Sequence, residues 1–189
     1  MCKDQRVIAL AGYICAGKST LAAAYCARHP GARTLLISDL LRDRMKAEGL
    51  STERAEMSAF YGRMAAEHGE TFLVDLMLEH MRANPAEVFV LDGWRRIAQA
   101  RYMKERERVD LKVVFLHVQE YVLYERWAAR ARPDDGPDFS LSAFNVQINL
   151  ETEREIPDLL RFSDVVLDGA LPPDVVLRRF EQYFNTEPS

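Results

Sequence analysis

Long apolar runs and an excess of basic charge are both missing from this 189-residue sequence. No stretch approaches the roughly 20 apolar residues that a membrane-spanning helix requires, so a membrane protein is not expected. With 25 Lys and Arg against 29 Asp and Glu, the formal net charge is −4. A general nucleic-acid or membrane surface needs clustered cations, and the balance of charge tells against both. Cysteine and histidine are scarce. The three cysteines, at 2, 15 and 26, and the four histidines, at 29, 68, 80 and 117, do not have the spacing of a metal site. An odd number of thiols reads as reduced cysteines in a cytoplasmic protein. The opening MCKDQR has no signal-peptide apolar region. Linkers, internal repeats and low-complexity segments are absent as well. What is left, 48% hydrophobic, is enough for one domain to bury a core of its own.

The strongest positive signal lies in residues 6 to 20, RVIALAGYICAGKST. An apolar run from Val7 to Ala11 leads into Gly12-Tyr-Ile-Cys-Ala-Gly17-Lys18-Ser19, the spacing G-x-x-x-x-G-K-[ST] of a phosphate-binding loop between a strand and a helix. Gly12 and Gly17 can take backbone angles closed to other residues, which lets the loop wrap a phosphate with its own N–H groups at a helix N-terminus. Lys18 supplies a positive charge for the β- and γ-phosphates, and the Ser19 hydroxyl suits the Mg²⁺ that bridges them. Gly12, Ala16, Gly17, Lys18, Ser19 and Thr20 are therefore the expected nucleotide contacts, with Thr20 also starting the helix.

Four further apolar runs follow at βαβ spacing: Thr34 to Ile37, Val88 to Leu91, Leu111 to Val118 and Val165 to Leu167. None alternates, as expected for strands of a parallel sheet covered on both faces. The fold class is α/β, and ligands of such sheets gather at the carboxyl ends of the strands. After the second strand, Asp39 reads either as a helix N-cap or as a catalytic carboxylate, and Arg42 lies one turn further on. After the third strand comes Asp92-Gly93-Trp94-Arg95-Arg96. Asp92 is the expected partner of the Mg²⁺ shell, and Gly93 permits a sharp turn that brings Arg95 or Arg96 to a transferred phosphate, the other being surface. A Glu after Asp92, which ATP-driven motors use to activate water, is missing.

Residues 39 to 85 form a helical insertion over the cleft. Its helices run from Leu40 to Glu48, from a cap at Ser51 to His68, and from Thr71 to Arg82; Arg54 and Arg63 are candidate acceptor contacts there. Ile97 to Arg108 reads as an exposed helix without a functional role. The helix from Glu120 carries Arg126, Arg130 and then Arg132 before Pro133-Asp-Asp-Gly-Pro137, which suits a mobile lid over residues 131 to 140. Ser140 is expected to cap one long helix running to Glu155 and halted by Pro157, and Pro172-Pro173 to start the last helix. The core is then 1–38, 86–130 and 141–189. Backbone at Asp168 to Leu171 lies where a purine ring would sit.

GYICAGKST, ISDLLRD, VLDGWRR, ERWAARARPDD and SDVVLDGAL, in that order, resemble the nucleoside monophosphate kinase superfamily of P-loop kinases. The likeness covers nearly the whole chain, and within the superfamily it is nearest to adenylate-kinase-like proteins, archaeal dephospho-CoA kinase-like proteins and viral deoxynucleotide kinases. It implies a three-layer fold around a five-stranded parallel sheet, with an acceptor-binding insertion and a short lid. It also implies ATP and Mg²⁺ as cofactors. Carried onto this sequence, Lys18 and Ser19 become phosphate and Mg²⁺ contacts, Asp92 reaches the Mg²⁺ through water, and Arg42 and Arg95 hold the acceptor phosphate beside Asp39, Asp92 and Gly93. Arg126, Arg130 and Arg132 become lid arginines with catalytic roles, Arg126 also touching the cofactor.

The expected activity is transfer of the γ-phosphate of ATP to a small nucleotide-like acceptor, with a (deoxy)nucleoside monophosphate first. Two alternatives stand beside it. One is a hydroxyl acceptor, such as dephospho-CoA or a hydroxymethylated base in DNA, with Asp39 as the base that takes its proton. The other is a nucleotide-binding sensor without transfer activity. The protein is expected to act as a monomer or homodimer.

Overall fold

The computed structural model describes residues 5–106, 109–131, 138–150 and 153–185. Five parallel strands form one sheet in the order β2-β3-β1-β4-β5. They are β1 (Gln5–Ala11), β2 (Ala32–Leu36), β3 (Val88–Asp92), β4 (Val109–His117) and β5 (Val165–Asp168). β1 is the central strand, pairing with β3 on one side and β4 on the other. Its side chains alternate between two separate cores. Val7, Ala9 and Ala11 pack on one face, Ile8 and Leu10 on the other, and all five are buried. That two-sided burial is why the run carries no polar alternation.

The first face is covered by α2 (Ile37–Ala47), α3 (Arg54–His68), α4 (Phe72–Ala83), α5 (Ile97–Lys104) and α8 (Ile156–Phe162); all five contribute to its core. The second carries α1 (Lys18–Arg28), α6 (Glu120–Arg130), α7 (Leu141–Ile148) and α9 (Pro173–Asn185). Trp127 anchors α6 there, fully buried between Phe139 and Phe144 at ring-centroid distances of 5.2 and 5.6 Å. It fixes the rotation of the helix that bears Arg126 and Arg130. No helix among the described residues is long and apolar enough to cross a membrane.

Several local expectations are corrected. The helix expected from Ser140 to Glu155 is two helices, α7 and α8, and Pro157 stands in the first turn of α8 instead of halting a helix. A proline has no N–H to give, and the first turn is where none is needed. Ser140 does cap α7, accepting from Ala143 N at 3.3 Å. Ser51 is not the cap of α3: that helix begins at Arg54, and Ser51 Oγ accepts from Glu53 N at 3.3 Å in the turn before it. α5 ends at Lys104 and buries Gln99, Ala100 and Met103, so it is a packed helix and not an exposed one. Pro173 opens α9 as expected.

Candidate nucleotide and acceptor site

The five β-to-α turns lie at one end of the sheet, and the phosphate loop occupies the middle of them. Gly12 and Gly17 have φ of 132° and 97°, and Cys15, between them, is also in the left-handed region at 62°. At Gly12 a side chain is excluded twice over, because a Cβ would also stand 2.7 Å from the Leu116 carbonyl oxygen on β4. The loop closes with Ala16 N donating to Tyr13 O at 3.2 Å.

Lys18 begins α1, and its ammonium donates to the Gly12 and Tyr13 carbonyls, both at 2.8 Å. Burial of the ammonium beneath the loop pushes its pKa down to about 8; the neighbouring Arg95 charge adds to the fall and Asp92 opposes it. Next in the helix, Ser19 Oγ donates to Asp92 Oδ2 at 2.5 Å. Asp92 is 7% exposed at the end of β3, opposite Leu10 of β1 in register. The motif serine and the β3 carboxylate, both expected at the Mg²⁺, are thus brought together. Two hard oxygen donors side by side at the mouth of the phosphate loop fit a Mg²⁺ ion that keeps most of its water.

The cleft over these groups has a volume of about 1600 Å³ and runs from the loop to the helices of the insertion. Single-ligand pockets are roughly 300–1,000 Å³, so this one has room for two substrates. Gly17, Lys18, Ser19 and Thr20 line one end, with Ala16 beneath them. Arg126 and Arg130 of α6 line the same end. Arg126 Nη1 donates to Gly169 O at 2.9 Å and to Cys15 O at 3.4 Å, tying α6 to the β5–α9 turn and to the phosphate loop. Arg130 is close enough for its charge to depress the Lys18 pKa. Arg132 and most of the expected lid lie outside the described residues.

Arg42, Arg96, Tyr61 and Gln99 also line the cleft, and Arg95 does so near enough to Lys18 for its charge to depress that pKa. Gly93, at φ 95°, makes the turn after β3, and the fully buried Trp94 fixes it by donating its ring N–H to Arg96 O at 3.1 Å. The expectation that one of the two arginines is merely surface is not met, since both line the cleft and both are held by glutamates. Arg95 pairs with Glu153, and Arg96 Nη1 donates to Glu155 Oε1 at 2.8 Å. Burial works against the Arg96 charge, but the Glu155 contact outweighs it and holds the pKa above the ordinary guanidinium value. Gln99 is 2% exposed, and its amide donates to Tyr61 Oη at 3.2 Å and to Glu70 O at 3.1 Å.

Asp39 is neither cap nor cleft residue. α2 begins two residues earlier with Leu36 at its N-cap, so Asp39 falls inside the first turn, 57% exposed and away from the cleft lining. It accepts from Arg42 Nη1 at 2.8 Å, while Ser38 Oγ accepts from the same nitrogen at 3.0 Å. Arg42 itself does line the cleft. Arg63 pairs with Glu48 at 3.3 Å and is not part of the lining, and the Arg54 side chain lies outside what is described.

Sequence reading missed Ser38, Tyr61, Gln99, Glu153 and Glu155. Gln99 carried a usable signal, being polar on the inner stripe of α5 beside Ala100 and Met103. The two glutamates carried none, because they fell within one long expected helix, with no local pattern joining them to Arg95 or Arg96.

A family model described as an AAA domain matches residues 7–150. A UPF0200 protein of Saccharolobus islandicus is 27% identical over 135 residues, covering 71% of this chain and 70% of its own. An adenylate kinase of Synechococcus sp. strain WH7803 is 31% identical over 125 residues, covering 64% and 66%. Among solved structures, a shikimate kinase from Bacteroides thetaiotaomicron superposes with a TM-score of 0.61 at 16% identity, over 96% of this chain and 98% of that one. A gluconokinase from Sinorhizobium meliloti 1021 gives 0.51 at 18%, over 98% and 100%. On the match over residues 7–150, the chain belongs to the AAA domain family, and its nucleotide-binding fold is that of the P-loop kinase-like superfamily.

Proposed function

We propose that the chain is a phosphotransferase that moves the γ-phosphoryl group of ATP to a small phosphate-bearing, nucleotide-like acceptor, with a nucleoside monophosphate as the leading class. The observation that carries this reading is that one cleft is lined both by the phosphate loop and by guanidinium groups outside the loop, Arg42 and Arg95 among them. A binding module for one nucleotide has no use for so many cations beyond the loop. In the proposed reaction an oxygen of the acceptor phosphate attacks the γ-phosphorus, the bond to the β–γ bridging oxygen breaks, and ADP leaves. Such an oxygen is already a nucleophile, so positioning and charge neutralisation suffice.

Ser19 and Asp92 would hold a Mg²⁺, whose charge would offset the negative charge developing on the phosphates. Lys18 and the loop amides bind the donor phosphates. Arg126 shapes the loop around them, and Arg130 and Arg95, whose charges both reach Lys18, would serve the transferred group. Arg42, oriented by Ser38 and Asp39, takes the acceptor phosphate. The hydroxyl-acceptor alternative needs a base, and the exposed Asp39, bonded to Arg42 outside the cleft lining, is a poor candidate for one.

The test is an ADP-release screen with purified protein, Mg²⁺ and ATP across nucleoside monophosphates, dephospho-CoA, nucleosides and hydroxymethylated DNA. Stimulation by one or more nucleoside monophosphates is expected. Stimulation by a hydroxyl acceptor alone, or by none of them, would overturn the reading.

A further inference from the structure

Every described glycine but one has a local reason to be glycine. Five have a positive φ, and Gly31 and Gly169 meet a close approach, by the Glu87 carboxylate and by the Ala16 carbonyl. Gly62 has neither. It stands in the middle of α3 with right-handed helical backbone, and a Cβ there would meet no described atom within 4 Å. Glycine inside a helix is less stable than alanine, so the position gives up stability that neither the backbone nor the packing requires.

What Gly62 does face is the cleft. α3 lines it with Met57, Ser58, Tyr61, Gly62 and Ala65, which recur at the spacing of one helix face. Leu41 of α2 and Leu73 of α4 add to the same apolar wall. Tyr61 is fixed beside the glycine, its hydroxyl accepting from Gln99 at 3.2 Å and its ring centroid 5.5 Å from that of Phe72, so the space next to Gly62 stays open. Apolar side chains and bare backbone suit the face of an aromatic base, whereas a phosphate or a sugar needs polar partners.

We propose that Gly62 sets the size of the acceptor base: a wall trimmed to the backbone admits the bicyclic ring of a purine nucleoside monophosphate, and a side chain there would narrow the site toward a pyrimidine. This rests on the reading of the cleft as a nucleoside monophosphate site. A pyrimidine site would be served as well by alanine, which would also strengthen α3. Only the larger ring gives glycine an advantage.

The experiment measures steady-state kinetics with ATP and Mg²⁺ on AMP, GMP, CMP and UMP, together with thermal melts, for wild type, Gly62→Ala, Gly62→Leu and Ala66→Gly. Ala66 is exposed on the same helix and outside the cleft lining. Wild type should have the higher kcat/KM on the purine acceptors. Gly62→Ala should raise the Tm by about 2 °C and raise KM for the purine acceptors about tenfold, the scale of one methyl group in a binding pocket, with at most about a twofold change for the pyrimidines and none for ATP. Gly62→Leu should deepen the purine loss, and Ala66→Gly should lower the Tm and leave each KM unchanged. An unchanged purine KM in Gly62→Ala, equal losses on purines and pyrimidines, or a wild type without a purine preference overturns the inference and leaves the kinase reading standing. So does a lower Tm for Gly62→Ala, which would mean that the protein itself resists a side chain there, and so does an equal purine loss in Ala66→Gly, which would trace the effect to the helix and not to the space. A wild type that phosphorylates no nucleoside monophosphate overturns that reading and the inference with it.

Discussion

Lys18 is expected to cost the ligand-free protein stability at neutral pH. Its pKa falls from 10.5 to about 8, with burial as the main cause. At about 1.4 kcal/mol per pKa unit, keeping the ammonium charged in the fold at pH 7 costs at most about 3 kcal/mol. Two hydrogen bonds to Gly12 O and Tyr13 O offset this by about 1 kcal/mol each. Lys18→Met removes both contributions, so the variant should be more stable than wild type by about 1 kcal/mol at pH 7, or roughly 3 °C in Tm for a chain of this size.

The pH dependence has a definite sign. Between about 8 and 10.5 the unfolded chain holds a proton on Lys18 that the native one has released, so wild-type stability rises with pH across that window. By pH 9.5 the cost has fallen to about 1 kcal/mol, and the methionine variant should be equal to or less stable than wild type. Thermal melts of both proteins at pH 7 and 9.5 read this directly, and ATP with Mg²⁺ should raise the Tm of wild type only. A methionine variant that is less stable at pH 7, or an advantage that does not shrink with pH, would refute the assignment of a desolvated ammonium.

Gly12→Ala should lose about 2 kcal/mol or more in urea melts, because the left-handed φ and the contact with Leu116 O act together. Asp92→Asn keeps the shape that receives the Ser19 hydroxyl but removes the charge, and should raise the Mg²⁺ concentration for half-maximal velocity about tenfold. Asp39→Asn should leave kcat within about twofold, since an exposed pair contributes at most about 1 kcal/mol. Arg42→Ala should raise KM for a phosphate-bearing acceptor roughly tenfold and leave KM for ATP unchanged. Steady-state kinetics on the acceptor found by the screen measure both, and a large kcat loss in Asp39→Asn would restore its candidacy as a base.

Local sequence determined the parts whose physics is local. The glycines at 12 and 17 are needed by the backbone of the loop itself, and both have a positive φ. The uninterrupted apolar run Val7 to Ala11 reports burial on both faces wherever the strand is placed, and its residues do divide between two cores. Asp92, closing the third run, was expected near the Mg²⁺ that Ser19 serves, because the carboxyl ends of parallel strands gather at one end of the sheet, and the two side chains do meet.

Tertiary structure decided everything that depends on which elements meet. Asp39 and Arg42 lie three residues apart in either reading, but only the start of α2 at Ile37 turns Asp39 to solvent and leaves Arg42 in the cleft. Glu153 and Glu155 are 58 and 59 positions from their arginines in the chain, and no local pattern joins them. The break before Pro157 splits one apparent helix into α7 and α8 and brings both carboxylates to the turn after β3, because a proline can begin a helix with no N–H to satisfy.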